Sequence, residues 1–536
     1  MIVASATESV LITGGTILDG TGTAPLSGSL LIKGDRIAGI VPADARPAAD
    51  RVIDASDRVI TPGFIDLHSH ADFTIQATPG AESQLHQGVT TLLTGNCGFS
   101  PFPVIDQEAL IAASAFVGGD LDWSWTDAAG FADACDQPGM AINLALQVGH
   151  HALRIAAMGA DQREPTATEL ERMRELLRRA AAQGAYGFST GLIYAPGSYA
   201  STAEVDALVA EAGGQDLLYS THIRNEGDHL LDAVKEAIRA ARLGSARLEI
   251  SHLKAMSPRN FGRVNEALEL IAQARDEGLD VGCDVYPYDA SSTTLTARLP
   301  GWALDGGIPA LLHRLADPDD HERLVAELTA AQDRQLPADR VRVATGPEFG
   351  STLAEIAERR TISPAEATLQ VLQEQHGSVS VINHGMSPDD VRTVLRHPLS
   401  SVASDGWIMA GPQDNGWQIG HPHPRNFGTF TRVLGHYSRD EQALDLPEAV
   451  RKMTSLPASR LGLADRGLLR PGAVADVVVL DPGTVADRAS YDQPWQLSRG
   501  VSDVWVGGVA VLTDGRSTGA RPGRVLRRRT AATRTG

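Results

Sequence analysis

Positive charge is in short supply in this chain of 536 residues, and lysine is nearly absent. Only Lys33, Lys235, Lys254 and Lys452 occur. Arginine does not compensate for the lack of lysine, because the chain has 47 basic and 66 acidic residues and a net charge of −19. An acidic chain of this kind disfavours nucleic acid and anionic membrane surfaces as partners.

Cysteine and long apolar runs are also lacking. Three cysteines, Cys97, Cys135 and Cys283, are too few for a disulfide framework and suit a reducing compartment. No apolar run approaches the ~20 residues that a membrane helix needs. Residues 1–11 lack the basic and apolar regions of a secretory signal. We therefore expect a cytoplasmic protein that does not insert into membranes, while the oligomeric state stays open.

Short β-type runs occur near both ends of the chain, in residues 9–59 and again in residues 475–512. They alternate in hydrophobicity and are separated by glycine, aspartate and proline, as strands of a small antiparallel sheet would be. We expect residues 1–60 and 461–526 to form one β-sandwich built from both chain ends. The basic tail, 527–536, is expected to be disordered.

The long middle of the chain alternates apolar strands with helices, in about eight units. Repeated βα units imply a parallel sheet, so the predicted fold class is α/β, with a (β/α)8 barrel over residues 61–460. Both Val379–His384 and Ser401–Asp405 have the composition of late barrel strands. A barrel typically takes ~250 residues, and the excess predicts an inserted subdomain at about residues 296–350.

The stretch Ile60–His70 ends in two histidines, His68 and His70, spaced i, i+2. In a β-strand such residues share a face, as two ligands of one metal would, and Asp66 lies on that face as well. We therefore interpret Ile60–His70 as the first barrel strand. On its own, the spacing is equally compatible with an ordinary strand that carries two polar residues.

Further metal-competent side chains follow other predicted strands, at the ends where barrel active sites lie. The candidate ligands are His68, His70, Cys97, His222, His252 and Asp405. Each has an ordinary structural explanation when taken alone, since single histidines and cysteines are often simply buried. Six of them at successive strand ends favour a metal site.

Zinc fits this donor set best, because nitrogen, thiolate and carboxylate ligands together suit zinc better than magnesium or calcium. A zinc site can lower the pKa of water to about 7. Asp405 is the candidate catalytic residue, which would accept a proton from water and deliver it to a leaving nitrogen. Simple metal ligation by Asp405 is compatible with that role.

Several motifs carry a family resemblance. Pro-Gly-Phe-Ile-Asp-Leu-His-Ser-His ending at His70, together with the segments around His222, His252 and Asp405, resembles the amidohydrolase superfamily. A narrower resemblance is to the D-aminoacylase branch, the N-acyl-D-amino-acid deacylases. The segments that carry it are Gly95-Asn-Cys-Gly-Phe-Ser100, Ser189–Tyr194, Asp284–Tyr288, His421–Arg425 and Leu434–Arg439. The resemblance spans about residues 9–526.

The resemblance implies a pair of zinc sites. Cys97, His222 and His252 would hold the tighter zinc, and His68, His70 and Asp405 a second, weaker one that shares Cys97. Hydantoinase-like relatives bridge their metals with a carboxylated lysine instead. This chain has no lysine between His70 and His222, which excludes that bridge and leaves Cys97 as its substitute.

The substrate-binding residues are predicted less directly. An N-acyl amino acid presents a carboxylate, which needs a cation near the metal. Arg224 and Lys254 each lie two residues beyond a ligand histidine and would share its strand face. For Arg224 the alternative is a surface or interdomain ion pair. Tyr194, Tyr286 and Ser292 lie in family-like motifs and are further candidates.

The predicted function is zinc-dependent hydrolysis of N-acyl-D-amino acids to a carboxylate and a free D-amino acid. One alternative keeps the metal and changes the bond, to a D-dipeptide, a cyclic amide or another N-acyl compound. A different class is a non-catalytic metal-binding barrel that serves as a scaffold, although such a protein would be expected to lose ligands. The preferred side chain and acyl group remain open.

Overall fold

The structure is a computed structural model that describes residues 8–115, 121–411 and 420–528. Eight parallel strands form a nearly closed barrel in chain order, and the last is hydrogen-bonded to the seventh. A parallel bridge between Ser69 and Gly406 brings the two barrel edges together. The barrel strands are Phe64–Asp66, Val89–Thr94, Asn143–Gly149, Gly187–Gly191, Leu218–His222, Arg247–Ile250, Val281–Val285 and Ser400–Val402. The predicted barrel is confirmed.

Helices surround the barrel and cover its strands. Their N-termini follow the sequence signals, as where Thr166 and Glu169 form a complete capping box. The helices of this layer are Glu82–Leu85, Gln107–Ser114, Ala128–Asp136, His150–Met158, Ala167–Ala182, Thr202–Gly214, Leu230–Gly244, Val264–Asp276, Pro388–Arg396, Arg425–Arg432, Leu446–Met453 and Ser455–Leu461, with a π-helix at Val433–Asp440. Short 3-10 turns occur at Ala71–Phe73, Gly197–Tyr199 and Pro258–Asn260.

Two sheets contain the terminal strands. They are mixed and not antiparallel as predicted, because each includes one parallel pair of strands. The N-terminal sheet has the strand order Arg36–Val41, Ser29–Lys33, Ser9–Thr13, Arg51–Asp54. The second sheet combines both ends of the chain, in the order Arg516–Ser517, Val509–Thr513, Val501–Val506, Val477–Leu480, Val59–Pro62, Thr16–Ile17, Leu26–Ser27. Buried side chains from the two sheets, among them Ile12, Ile32 and Trp505, form one core between them.

Ile60–His70 is not a single strand, and this part of the prediction is wrong. Val59–Pro62 pairs with Val477–Leu480 in the terminal sheet, whereas Phe64–Asp66 begins the barrel beside Val89–Thr94. Gly63 separates the two, and a Cβ there would lie 2.2 Å from Thr90 Oγ1. The chain therefore passes from one sheet into the other within a single residue.

The inserted unit is larger than the expected residues 296–350. It begins with a three-stranded antiparallel sheet, whose strands are Ser291–Thr294, Ser380–Asn383 and Val341–Val343 in spatial order. Val379–His384 is therefore not a barrel strand, because its partners are the two inserted strands and not Val281–Val285. The helices of the unit are Gly307–Ala316, Pro318–Ala331, Leu353–Arg360 and Pro364–Glu374, with 3-10 turns at Leu295–Arg298, Gly301–Leu304 and Ala338–Arg340.

The C-terminal end lies against the outside of the barrel. Val525–Leu526 pairs with the third barrel strand, and the Arg528 side chain donates to the carbonyl of Gln215 at 2.8 Å. The first two residues of the expected disordered tail, Arg527 and Arg528, are thus held by hydrogen bonds, and the rest of that tail lies outside the described residues. No helix in the described ranges combines the length and hydrophobicity required to cross a membrane.

Candidate metal centre and reaction pocket

The six predicted ligands converge at the carboxyl ends of the barrel strands. Cys97 lies at the centre, with its Sγ 3.3 Å from His68 Nε2, 3.5 Å from His252 Nε2 and 3.8 Å from His222 Nδ1. His70 Nε2 and His68 Nε2 lie 3.2 and 3.3 Å from the same carboxylate oxygen, Oδ1 of Asp405. All of these side chains are buried.

The donors form two groups that share Cys97. One group is Cys97, His222 and His252, and the other is His68, His70, Cys97 and Asp405, with the ligand atoms of each group within 4.8 Å of one another. Around a tetrahedral zinc, a thiolate sulfur and an imidazole nitrogen lie about 3.6 Å apart. The observed separations of 3.3–3.8 Å fit that spacing, so the residues present suit zinc.

The backbone at three ligands is unusual. Cys97, Asp405 and His252 have φ values of +54°, +50° and +36°, which few non-glycine residues adopt. Asp405 is held there because its N–H donates to the carbonyl of His68 at 2.8 Å, across the closing edge of the barrel. Cys97 follows Asn96, whose side chain donates to the Ser69 and Leu93 carbonyls. Strain of this kind gathers at functional sites.

Asp66 does not join the ligands, although it lies beside them. Its carboxylate accepts hydrogen bonds from the backbone of His68 and from the backbone and hydroxyl of Ser404. Complete burial raises the pKa of Asp66 to about 6. Its position ties the first barrel strand to the last, and so brings His68 next to Asp405.

Two carboxylates that the sequence reasoning missed lie behind the histidines. Asp284 Oδ2 is 3.6 Å from His68 Nδ1, and its Oδ1 accepts the backbone N–H of His252 at 2.8 Å. Glu226 Oε1 lies 3.5 Å from His222 Nε2 and 3.1 Å from His252 Nδ1. Carboxylates in this position orient the ring of a metal-binding histidine.

Electrostatics stabilise the ionised forms of the central ligands. Burial alone would raise the pKa values of Cys97 and Asp405. The neighbouring groups outweigh burial. The charge of His68 and the hydrogen bonds of His222 and His252 hold the thiol pKa well below its usual range, and the charges of Arg425 and His68 do the same for the pKa of the carboxyl. A thiolate and a carboxylate are the forms in which these residues bind metals.

Arg425 is a second functional candidate that the prediction missed. Its Nη1 donates to Asp405 Oδ2 at 2.7 Å, and its Nη2 lies 3.4 Å from the carbonyl of Ser292. Only 6% of its side chain is exposed. The motif His421–Arg425 was noted in the sequence, but nothing in its spacing showed that the arginine reaches the metal ligands.

Arg224, in contrast, lies outside the site. Its guanidinium is paired with Glu236 at 2.9 Å, and 31% of its side chain is exposed. The fifth barrel strand ends at His222, so alternation along the strand does not determine the direction of the Arg224 side chain. The ion-pair alternative is the one that the structure supports.

Lys254 is brought to the site but is already engaged. Its Nζ lies 2.5 Å from Glu226 Oε1 and 2.7 Å from His252 Nδ1. Two cations lie near the ring of Tyr286, with Lys254 Nζ 5.8 Å and the Arg425 guanidinium 5.0 Å from its centroid. This row of two cations and a phenol flanks the metal ligands.

A small pocket, here called the reaction pocket, opens onto the ligands. Tyr194 and Ser292, both predicted, line it, and the Tyr194 hydroxyl lies 2.9 Å from Thr293 Oγ1. His222 and His252 do not line this pocket. Its wall consists of His70, Cys97, Phe99, Tyr194, Ser292, Thr293, Ser380, Asp405, Trp407 and Arg425.

The second His-x-His sequence has no ligand geometry. His423 Nε2 lies 2.9 Å from the carbonyl of Ala290, and the ring of His421 contacts the carbonyl of Tyr491. Both histidines thus shape the proline-rich loop that precedes Arg425.

A barrel that gathers histidines, a cysteine and an aspartate at its strand ends is the arrangement of a metal-dependent hydrolase. Residues 51–512 match the model of the amidohydrolase family. Among curated proteins, the N-acyl-D-glutamate deacylase of Alcaligenes xylosoxydans xylosoxydans is 39% identical over 97% of this chain and 96% of its own length. The chain therefore belongs to the amidohydrolase family, in its N-acyl-D-amino-acid deacylase branch.

Solved structures agree with this assignment. The N-acyl-D-glutamate deacylase of Bordetella bronchiseptica is 37% identical with a TM-score of 0.81, covering 97% of this chain and 100% of that one. That structure contains zinc and a phosphonate inhibitor that mimics the tetrahedral intermediate. A D-aminoacylase with a binuclear metal centre, activated by one metal and attenuated by the second, is 35% identical with a TM-score of 0.81 over 97% and 99% of the two chains.

Proposed function

We propose that this protein hydrolyses the amide bond of N-acyl-D-amino acids, releasing a carboxylate and a free D-amino acid, with zinc as its cofactor. The observation that carries the proposal is the convergence of Cys97, His222 and His252 beside Asp405 and Arg425 in one buried site. The D configuration is supported by the relatives, which are deacylases of D-amino acid derivatives.

Cys97, His222 and His252 would hold one zinc, and His68, His70 and Asp405 would hold a second, with Cys97 shared. Bound there, zinc supplies a Lewis acid that polarises the acyl oxygen and makes water more acidic. Three protein ligands with an open fourth position are the pattern of catalytic zinc, and this favours the first group as the essential one.

Asp405 is the proposed proton carrier. It lines the reaction pocket, and the hydrogen bond from Arg425 to Oδ2 holds the carboxylate in one orientation. As a general base it takes a proton from the attacking water, and as a general acid it delivers that proton to the leaving nitrogen. Departure of the amine is otherwise difficult, because an amide nitrogen leaves only when it is protonated.

Arg425 is the proposed anchor for the substrate carboxylate. A guanidinium has five N–H donors, and a planar fork suits a carboxylate. Tyr286 and Ser292 lie beside Arg425, while Lys254 adds positive charge near the Tyr286 ring. Tyr194 also lines the reaction pocket.

The test is hydrolysis of paired N-acetyl-D and N-acetyl-L amino acids by zinc-loaded enzyme, measured as released amine. We expect turnover of the D forms alone. Hydrolysis of hydantoins or of L forms in preference to D forms would contradict the proposal.

We further propose that the protein works in the cytoplasm on a small-molecule substrate. Its described cysteines are free and buried, which suits a reducing compartment. Fractionation of cells that express a tagged chain tests this, and recovery of the protein in a membrane or secreted fraction would contradict it.

A further inference from the structure

Arg425 is held at its backbone as well as at its guanidinium. It is the first residue of the helix Arg425–Arg432, and the first N–H groups of a helix have no partner within that helix. The N–H of Arg425 donates instead to Nδ1 of His423, at 3.0 Å. The proposed function assigns no role to this histidine.

The two ring nitrogens of His423 face partners of opposite kind. The N–H of Arg425 can only donate, so Nδ1 carries no proton. Nε2 lies 2.9 Å from the carbonyl oxygen of Ala290, which can only accept, so Nε2 carries the proton. A neutral imidazole has one donor and one acceptor, and a single tautomer satisfies both contacts. A charged ring would instead place an N–H against the N–H of Arg425.

The surroundings of His423 keep it neutral and fix the plane of its ring. The residue is 1% exposed, and burial together with the charge of Arg425 holds its pKa well below its usual range. The rings of Tyr288 and Tyr491 meet the imidazole edge to face, at centroid distances of 5.3 and 5.2 Å. A ring packed in this way cannot turn over unless the tyrosines move.

The bond to Ala290 connects Arg425 with the inserted strand Ser291–Thr294, which follows Ala290 directly. The guanidinium meets the same strand, with Nη2 3.4 Å from the carbonyl of Ser292. Its Nη1 donates to Asp405 Oδ2 at 2.7 Å. The imidazole thus holds the backbone from which the guanidinium reaches both partners, and a shift of that backbone would move the guanidinium relative to each.

We infer that His423 is a positioning residue for the reaction: as a neutral ring with its proton on Nε2, it fixes Arg425 where the guanidinium reaches Asp405 and the substrate carboxylate. The inference rests on the proposed function, in which Arg425 anchors that carboxylate. His423 is not among the described residues that line the reaction pocket, so its effect on the substrate passes through Arg425. Misplacement of such a group by about 1 Å can cost about 100-fold in rate.

The first measurement compares two substitutions that separate hydrogen bonding from packing. His423→Phe keeps an aromatic ring among the tyrosines and loses both hydrogen bonds. His423→Asn loses the ring, but its amide oxygen takes the place of Nδ1 and accepts the N–H two residues further on, as asparagine does in turns. With zinc-loaded enzyme and one N-acetyl-D-amino acid, we expect His423→Phe to raise KM about tenfold and to change kcat less, while His423→Asn stays within about threefold of the wild-type KM.

The second measurement repeats His423→Phe in a chain that also carries Arg425→Ala. A residue that acts through another loses its effect when that other residue is removed. We expect His423→Phe to lower kcat/KM about tenfold or more on its own, and less than about twofold beside Arg425→Ala. Equal losses in both backgrounds would show that His423 does not act through Arg425, and would overturn the inference.

The controls separate positioning from folding. His421→Phe changes a histidine of the same loop whose ring contacts the carbonyl of Tyr491, and it should leave KM within about twofold. Zinc content and Tm are determined for every variant, and zinc content should stay at the wild-type level. His423→Gln, whose longer side chain does not place its oxygen at Nδ1, should match the KM of His423→Phe and supplies the test if that variant does not fold.

The outcomes separate this inference from the proposed function. If the wild-type enzyme hydrolyses no N-acetyl-D-amino acid, the proposed function is wrong and the inference falls with it. If the wild type is active and His423→Asn raises KM more than His423→Phe does, the ring serves packing alone, and the inference is wrong while the function stands. A KM within about twofold of wild type in both variants would overturn the inference as well.

Discussion

The two ligand groups that share Cys97 differ in what surrounds them. His222 and His252 have Glu226 and Lys254 behind them and do not line the reaction pocket. His70 and Asp405 line that pocket, and Asp405 is bonded to Arg425, which lines it too. One side of Cys97 is therefore arranged to retain a metal, and the other to connect the metal site with the substrate. Similar metal-binding side chains at neighbouring strand ends are thus placed for two different roles, metal retention and contact with the substrate.

The largest effect should come from the residue that both groups share. Cys97→Ala removes a ligand from each, so we expect zinc content to collapse and kcat/KM to fall by roughly 1,000-fold or more. Metal analysis and single-substrate kinetics measure this. Cys135→Ala is the control, because Cys135 is buried in a helix outside both groups. Normal zinc content in Cys97→Ala would contradict the shared-ligand assignment.

The next substitution affects only the side that faces the substrate. Asp405→Asn keeps the shape but cannot accept a proton, so kcat should fall about 100- to 10,000-fold while Cys97, His222 and His252 still retain zinc. Metal content and kcat are determined on the same preparation. A kcat within tenfold of wild type, with zinc bound, would remove Asp405 from proton transfer.

A substitution behind His222 and His252 tests the other side. Glu226→Gln removes a negative charge that faces both rings, and the zinc affinity should fall about 10- to 100-fold, with little change in kcat at saturating zinc. Competition with a chelator measures the affinity. Glu236→Gln, which affects the Arg224 ion pair and a hydrogen bond from Thr202 away from the metal ligands, is the control and should bind zinc normally. Unchanged affinity in Glu226→Gln would show that this carboxylate does not support the metal.

The smallest effect compares the two arginines. Arg425→Lys keeps the charge but loses the planar fork, so KM should rise about tenfold with unchanged zinc content. Arg224→Lys should leave KM within about twofold, because Arg224 lies outside the reaction pocket. Steady-state kinetics on one N-acetyl-D-amino acid distinguish the two variants. A larger rise in KM for Arg224→Lys than for Arg425→Lys would indicate that Arg224, and not Arg425, binds the substrate carboxylate.

The barrel and its ligands could be predicted because both depend on local periodicity. Apolar strands that alternate with helices define the barrel, and a polar residue at the end of a strand or just beyond it lies near the active-site end. His222, His252 and Asp405 follow this rule, and the structure brings them together. Arg224 also lies just beyond a strand, but its side chain turns to Glu236.

Other features depend on distant pairing, which composition does not report. Val379–His384 reads like a barrel strand, but its neighbours are antiparallel inserted strands. Glu226 and Arg425 lie in segments that follow strands or loops. Glu226 contacts His252 and Arg425 contacts Asp405, and the spacing of residues in the sequence does not predict either contact.

Because the chain changes sheets at Gly63, the order in which strands are synthesised affects the order in which the site can form. Val59–Pro62 is held by Val477–Leu480, a strand that the ribosome produces only near the end of synthesis. Until then, Val59–Pro62 can pair only with Thr16–Ile17, and the other edge of the strand that precedes His68 and His70 has no partner. Cys97, His222 and His252 depend on strands made earlier, so a growing chain can complete that group first. The half of the site that faces the substrate would then form last, when the C-terminal strands join the sheet.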